Sequence, residues 1–103
     1  MGFRVRLSPR ASRELVDLYW RVAKEAPSRG QDWYRSIIEA IDSLRGNPFR
    51  CPLAPDPALR KDGVRCLLYG AKRNRYRILF RVPEGQQTVD ILRVRHVGMK
   101  YLA

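Results

Sequence analysis

The stretch that most constrains this chain runs from Val64 to Leu102, VRCLLYGAKRNRYRILFRVPEGQQTVDILRVRHVGMKYL. Three runs rich in Val, Ile, Leu, Tyr and Phe, at 64–69, 75–82 and 88–95, are parted by turn-forming segments at 70–74 and 83–86. Runs of that length bounded by Gly, Asn and Pro predict strands of an antiparallel sheet. Arginine is threaded through all three. In the middle run Tyr76, Ile78, Phe80 and Val82 alternate with Arg75, Arg77, Leu79 and Arg81. The two-residue period of a strand sends those sets to opposite faces. One face is expected to be apolar and covered. The other is expected to offer Arg77, with Arg65 beside it, to solvent or to an anionic ligand. The last run is less regular, because Leu92, Val94 and His96 share one parity and Arg93 and Arg95 the other.

The cover for the apolar face comes from the N-terminal half. Phe3-Arg4-Val5-Arg6-Leu7 alternates with period two and predicts a strand. Ser8-Pro9 then supplies an N-cap and a proline at the first helical position. Ala11, Leu15, Leu18, Tyr19, Val22 and Ala26 follow at helical spacing, and Pro27 ends the helix. Ser28-Arg29-Gly30-Gln31 has the form of a capping box for a second helix. Its apolar stripe is Tyr34, Ile37, Ile38, Ile41 and Leu44, and Gly46-Asn47-Pro48 stops it. The short connection makes the two helices an antiparallel hairpin. Pro48, Pro52, Pro55 and Pro57 make residues 47–60 a connecting loop without regular helix or inner strand. The expected fold is a single α+β domain over residues 1–103: an N-terminal strand, then an antiparallel two-helix hairpin packed on one face of a small, mainly antiparallel β-sheet.

Charge decides what such a sheet could meet. The 103 residues carry a net charge of +11, and residues 60–103 hold eleven basic side chains against three acidic ones. A field of one sign over one region attracts phosphate-bearing or acidic partners. No run approaches the roughly 18 apolar residues of a membrane span, and the N-terminus meets charge at once, so a cytoplasmic chain without membrane association is expected. Two cysteines make no disulfide framework: Cys66 reads as a small buried hydrophobe and Cys51 falls in the proline-rich loop. With one histidine and no CxxC pair, neither a zinc site nor any other cofactor is expected.

No phosphate-cradling glycine loop, HExxH or GxSxG is present. What remains is Arg, Lys, His and Tyr, a set that can grip phosphate, neutralise charge developing on it and move a proton. Arg77 and Arg65 are the leading catalytic candidates, with His96, Lys100 and Tyr101 at the end of the last strand. Lys72, Arg73, Arg75, Arg81, Arg93 and Arg95 are expected to bind RNA or phosphate electrostatically. Trp20 and Trp33 sit in the helices at positions that suit packing or a partner groove.

YRILFRV followed by DILRVRH, behind a strand, two helices and an Asn-Pro loop, resembles the RelE/ParE toxins of type II toxin–antitoxin modules. The resemblance covers essentially the whole chain and is most specific over residues 64–102. It implies a growth-arresting toxin held by an acidic cognate antitoxin in a hetero-oligomer. RelE-like members cleave mRNA on the ribosome without a metal, and ParE-like members inhibit DNA gyrase by protein contact. Carried over position by position, the nuclease roles fall on Arg65, Arg77, His96, Lys100 and Tyr101. Relatives often carry H-G-x-R after the last strand, whereas this chain reads His96-Val97-Gly98-Met99-Lys100, and Leu67 stands where a second basic residue occurs. The expectation is a ribosome-dependent mRNA endoribonuclease, with gyrase inhibition or an inactive binding module as alternatives.

Overall fold

A computed structural model describes residues 2–72 and 74–98. Strand β1 (Arg4–Leu7) leads into α1 (Pro9–Glu25) and α2 (Pro27–Asp42). After two 3-10 turns and a short helix α3 (Pro57–Lys61) come β2 (Arg65–Ala71), β3 (Asn74–Arg81) and β4 (Thr88–His96). The four strands lie in the order β1-β4-β3-β2, with β1 parallel to β4 and the other pairs antiparallel. The expected α+β architecture is the one observed.

Ser8 joins the first strand to the first helix and to the sheet. Its hydroxyl accepts from the Ala11 amide at 3.0 Å, capping α1, and donates to the Leu92 carbonyl at 3.0 Å. Pro9 follows at the start of the helix, where its missing amide hydrogen costs no bond. The helices pack tightly beside their connection: a Cβ on Gly30 would lie 2.7 Å from the Ala23 Cβ, so only glycine permits this approach. The expected capping box at Ser28–Gln31 does not form. Instead α2 starts two residues earlier, with Pro27 at its first position and Ala26, which has no side-chain acceptor, as its cap.

Against the sheet, Ala11, Leu15 and Leu18 of α1 and Ile37 and Ile41 of α2 close over Tyr76, Ile78, Phe80, Val89, Ile91 and Val94. Phe80, Ile78 and Ile91 are fully buried there. Trp33 packs on the rim of this core, while Trp20 and Tyr34, the latter expected in the stripe, are exposed at 62% and 40%.

The other face departs from expectation. Leu79 is buried among Ala54, Val64 and Cys66, with Leu59 and Leu92 at the edge of the cluster. The proline-rich segment forms this second layer. Asp56 caps α3 by accepting from the Ala58 and Leu59 amides, and Pro57 occupies its first turn. Leu53 bridges to Arg65 beside the edge of β2. Proline therefore starts helices here rather than preventing them.

The β2–β3 hairpin closes between Ala71 and Asn74, with Lys72 in the left-handed region at φ 55°. Gly70, at φ 101°, is obligatory because a Cβ would lie 2.1 Å from the Asn74 carbonyl oxygen.

Candidate functional site

Residues opposite one another in an antiparallel ladder project from the same face. That rule places each predicted site residue. Arg65 stands opposite Phe80, so it leaves β2 on the helix-facing side, whereas Arg77 stands opposite Leu68 and Arg95 on the other side. The expectation that Arg65 and Arg77 share one face is thus corrected. Leu67 and Tyr69, which join the helix-side core, confirm the parity of β2.

A bulge explains the irregular last strand. Leu79 pairs with Arg93 but Phe80 pairs with Ile91, which leaves Leu92 as an extra residue. Before the bulge, the odd-numbered Val89 and Ile91 face the helices. After it, the even-numbered Val94 and His96 do. Arg93 and Arg95 consequently share the outer face with Arg77, while His96 stands opposite Tyr76 on the helix side.

The arginines are held by protein acceptors. Nη1 of Arg65 donates to the Cys51 carbonyl at 2.7 Å, and the guanidinium lies 5.1 Å from the centroid of Phe49. Nη1 of Arg77 donates to the Val97 carbonyl at 3.2 Å. Arg93 grips Glu14 of α1 through Nε and Nη2, with its shortest contact at 2.7 Å, and Arg95 reaches the same carboxylate at 4.0 Å. Glu14 Oε1 also accepts from the Val94 amide at 3.0 Å. β1 pairs with β4 only as far as Ile91, so beyond it Glu14 takes the place of a neighbouring strand. This hub was not foreseen from the sequence. Glu14 lies on the polar side of a helical repeat, and only the crossing of α1 over β4 shows what it meets.

The pair Arg77–Arg95 is a cross-strand contact between like charges in the middle of the sheet. Burial first, and then Arg93, lower the Arg95 pKa, while Glu14 pulls it back up. Such a pair costs stability unless an anion lies near it. Lys72, Arg75 and Arg81 are exposed, and Arg81 stands opposite Asp90, which pairs with Arg6 at 2.9 Å. Lys100, Tyr101 and Arg73 lie outside the described residues.

His96 occupies a different neighbourhood. Its ring meets Tyr76 edge-on at 5.2 Å, and Nδ1 accepts from the Gly98 amide at 3.0 Å. That bond leaves the proton of a neutral imidazole on Nε2. Burial raises the Tyr76 phenol, and the Trp33 indole NH lies beside it without a hydrogen bond of ordinary geometry. Among the described residues, no three His, Cys, Asp or Glu side chains gather as a metal would need, and no helix is long and apolar enough to cross a membrane.

A strand, a helical hairpin and an arginine-rich four-stranded sheet define the class of small α+β toxin domains to which the solved neighbours belong. The chromosomal ParDE TA system from P. aeruginosa superposes with a TM-score of 0.74 at 20% identity, covering 92% of this chain and 96% of that one. The toxin–antitoxin complex RelBE2 from Mycobacterium tuberculosis gives a TM-score of 0.60 at 28% identity, covering 93% and 99%. No curated protein matches the chain by sequence. The family described as ParE toxin of type II toxin-antitoxin system, parDE, matches residues 5–101, and the chain belongs to that family.

Proposed function

We propose that this toxin acts as a ParE-like inhibitor of DNA gyrase through protein contact, and that an acidic antitoxin neutralises it. The observation that carries this reading is the strand register. A nuclease of the expected kind needs Arg65, Arg77 and His96 around one phosphate. Here Arg77 leaves the opposite face from the other two. Arg65 and His96 share a face but stand opposite Phe80 and Tyr76, four positions apart on β3, or roughly 13 Å. Match to the ParE family over nearly the whole chain supports the same reading. An acidic partner suits the net charge of +11 and would associate quickly with so basic a surface. Purified toxin added to gyrase and relaxed plasmid is expected to block supercoiling, and a His96→Ala variant should block it as well. New cleavage sites in translated mRNA, without DNA damage, would overturn this.

One observation favours the nuclease reading. Arg77, Arg93 and Arg95 gather on the outer face, where a phosphate would relieve their mutual repulsion. Growth arrest that requires Arg77 and is accompanied by cut transcripts would establish it.

A further inference from the structure

We propose that the outer face of the α1–α2 hairpin docks a second copy of this chain, the two hairpins pairing as a four-helix bundle. The pairing is independent of whether gyrase is the target. The sheet takes Ala11, Leu15 and Leu18 from α1, which leaves Arg13, Val16, Asp17 and Trp20 on the exposed side of that helix. On α2 the exposed residues include Gln31, Tyr34, Arg35 and Glu39. Val16, Tyr19, Gln31, Tyr34 and Arg35 line a groove of about 460 Å³ along the hairpin. Trp20 stands next to it, 62% exposed and edge-on to Tyr19 at 5.1 Å. A large, rigid, exposed ring beside an open groove is the kind of anchor on which protein contacts depend.

Charge selects the occupant. α1 and α2 together hold six basic and six acidic side chains, so the fifteen basic and four acidic ones elsewhere carry the whole net charge of +11. Copies approaching elsewhere bring an excess of one sign together, whereas hairpin to hairpin they do not. The helix layer, about 10 Å thick, exceeds the screening length of about 8 Å at physiological salt, so the charge of the sheet is weak at this face. An acidic partner gains nothing there from the basic excess.

The face is also complementary to itself, as a two-fold interface requires. Ala23 lies against Gly30 and Tyr19 against Tyr34, so Asp17 stands level with the turn of α2 that carries Arg35, and Arg13 with the turn that carries Glu39. A two-fold axis along the hairpin lays α1 of each copy over α2 of the other. Asp17 then meets Arg35 of the second copy, Arg13 meets Glu39 of the second copy, and each pair occurs twice. None of these four side chains is in an ion pair among the described residues. Trp20 falls beside Gln31 and Tyr34 of the second copy and closes the groove. Two helices of 17 and 16 residues side by side present a face of about 25 Å by 20 Å. That is small for a specific interface, so a dissociation constant of about 10–100 µM is expected.

Sedimentation equilibrium of the full chain over about 1–200 µM tests the proposal, with a reversible monomer–dimer transition expected. Trp20→Ala should weaken dimerisation about thirtyfold or more, because the ring is buried once in each half of the interface. Leu68→Ser, at an exposed apolar residue of β2, should change it less than about twofold. Asp17→Arg and Arg35→Asp should each weaken it about tenfold, and Asp17→Arg/Arg35→Asp should restore it to within about threefold. Arg35→Asp lowers the net charge, so general repulsion alone predicts tighter association for that variant. All these positions are exposed, and circular dichroism checks that each variant folds. A chain monomeric throughout would overturn the proposal and leave the face to a different protein or to none. Equal losses at Trp20 and Leu68, tighter association of Arg35→Asp, or a double variant no tighter than the single ones would each overturn it too.

Discussion

The two faces of this sheet are built by different rules, although the sequence writes them with the same alternation. On the helix side, apolar residues from every strand meet two long helices and exclude water. On the other side, a small cluster around Leu79 is sealed by the proline-rich segment, and Arg77, Arg93 and Arg95 stand beside it. The first face supplies stability. The second sets Arg77 opposite Arg95, like charges facing across the ladder, with the Glu14 carboxylate 4.0 Å from Arg95.

The contrast breaks or holds first at the neighbours Phe80 and Leu79. Phe80→Ala opens a cavity in the larger core and is expected to cost about 3–5 kcal/mol. Leu79→Ala empties a cluster whose lid is a loop and a five-residue helix that can settle into the space, so about 2–3 kcal/mol is expected. Urea unfolding of both variants measures the difference. Equal or reversed costs would mean that the outer layer is as rigid as the core.

Glu14→Gln addresses the charged part of the outer face. It keeps the shape and an acceptor for the Val94 amide but removes the anion that Arg93 and Arg95 share. The side chains of Glu14 and Arg93 are 19% and 15% exposed, so solvent screens the pair only partly. A loss of about 1–2 kcal/mol is expected, shrinking as salt is added. A loss unaffected by salt would assign the role of Glu14 to the strand edge rather than to charge.

The two thiols sample one layer each, Cys51 in the helix-side core and Cys66 in the outer cluster. Burial raises both, against the lowering influence of nearby arginines. A raised thiol holds its proton more tightly in the folded chain. Its contribution is intact below the unfolded value near 8.5 and disappears as pH climbs through the folded value. Melting temperature should therefore fall above about pH 8.5. Cys51→Ala and Cys66→Ala should each flatten that fall by under about 1.4 kcal/mol for each pKa unit removed. An unchanged slope in both variants would place the alkaline sensitivity elsewhere, with the Tyr76 phenol, also raised by burial, the next group to replace.

Much of this architecture was legible in the chain. The apolar periods predicted the helices and strands, and Ser8-Pro9 predicted the first cap, because those signals are local. The assignment of faces was not legible beyond β3. A strand reveals which residues alternate, but only its partner reveals which set points inward, and β2 offers Leu67, Leu68 and Tyr69 to either side. The bulge at Leu92 then reversed parity inside β4, which no count of period two anticipates. Glu14 was invisible for a related reason: its partners lie 79 and 80 residues away along the chain.

Arg65 and Arg75 give the smallest and sharpest test, since both are arginines of strand runs whose surroundings alternation alone does not distinguish. Arg65 is fastened, donating to the Cys51 carbonyl and lying near the Phe49 ring, whereas Arg75 is exposed on the hairpin. Arg65→Met leaves a part-buried carbonyl without its donor, and about 1 kcal/mol of stability should go. Arg75→Met removes only a solvated charge and should change stability by less than about 0.5 kcal/mol. If Arg65→Met left unfolding unchanged, its contact with Cys51 would be incidental.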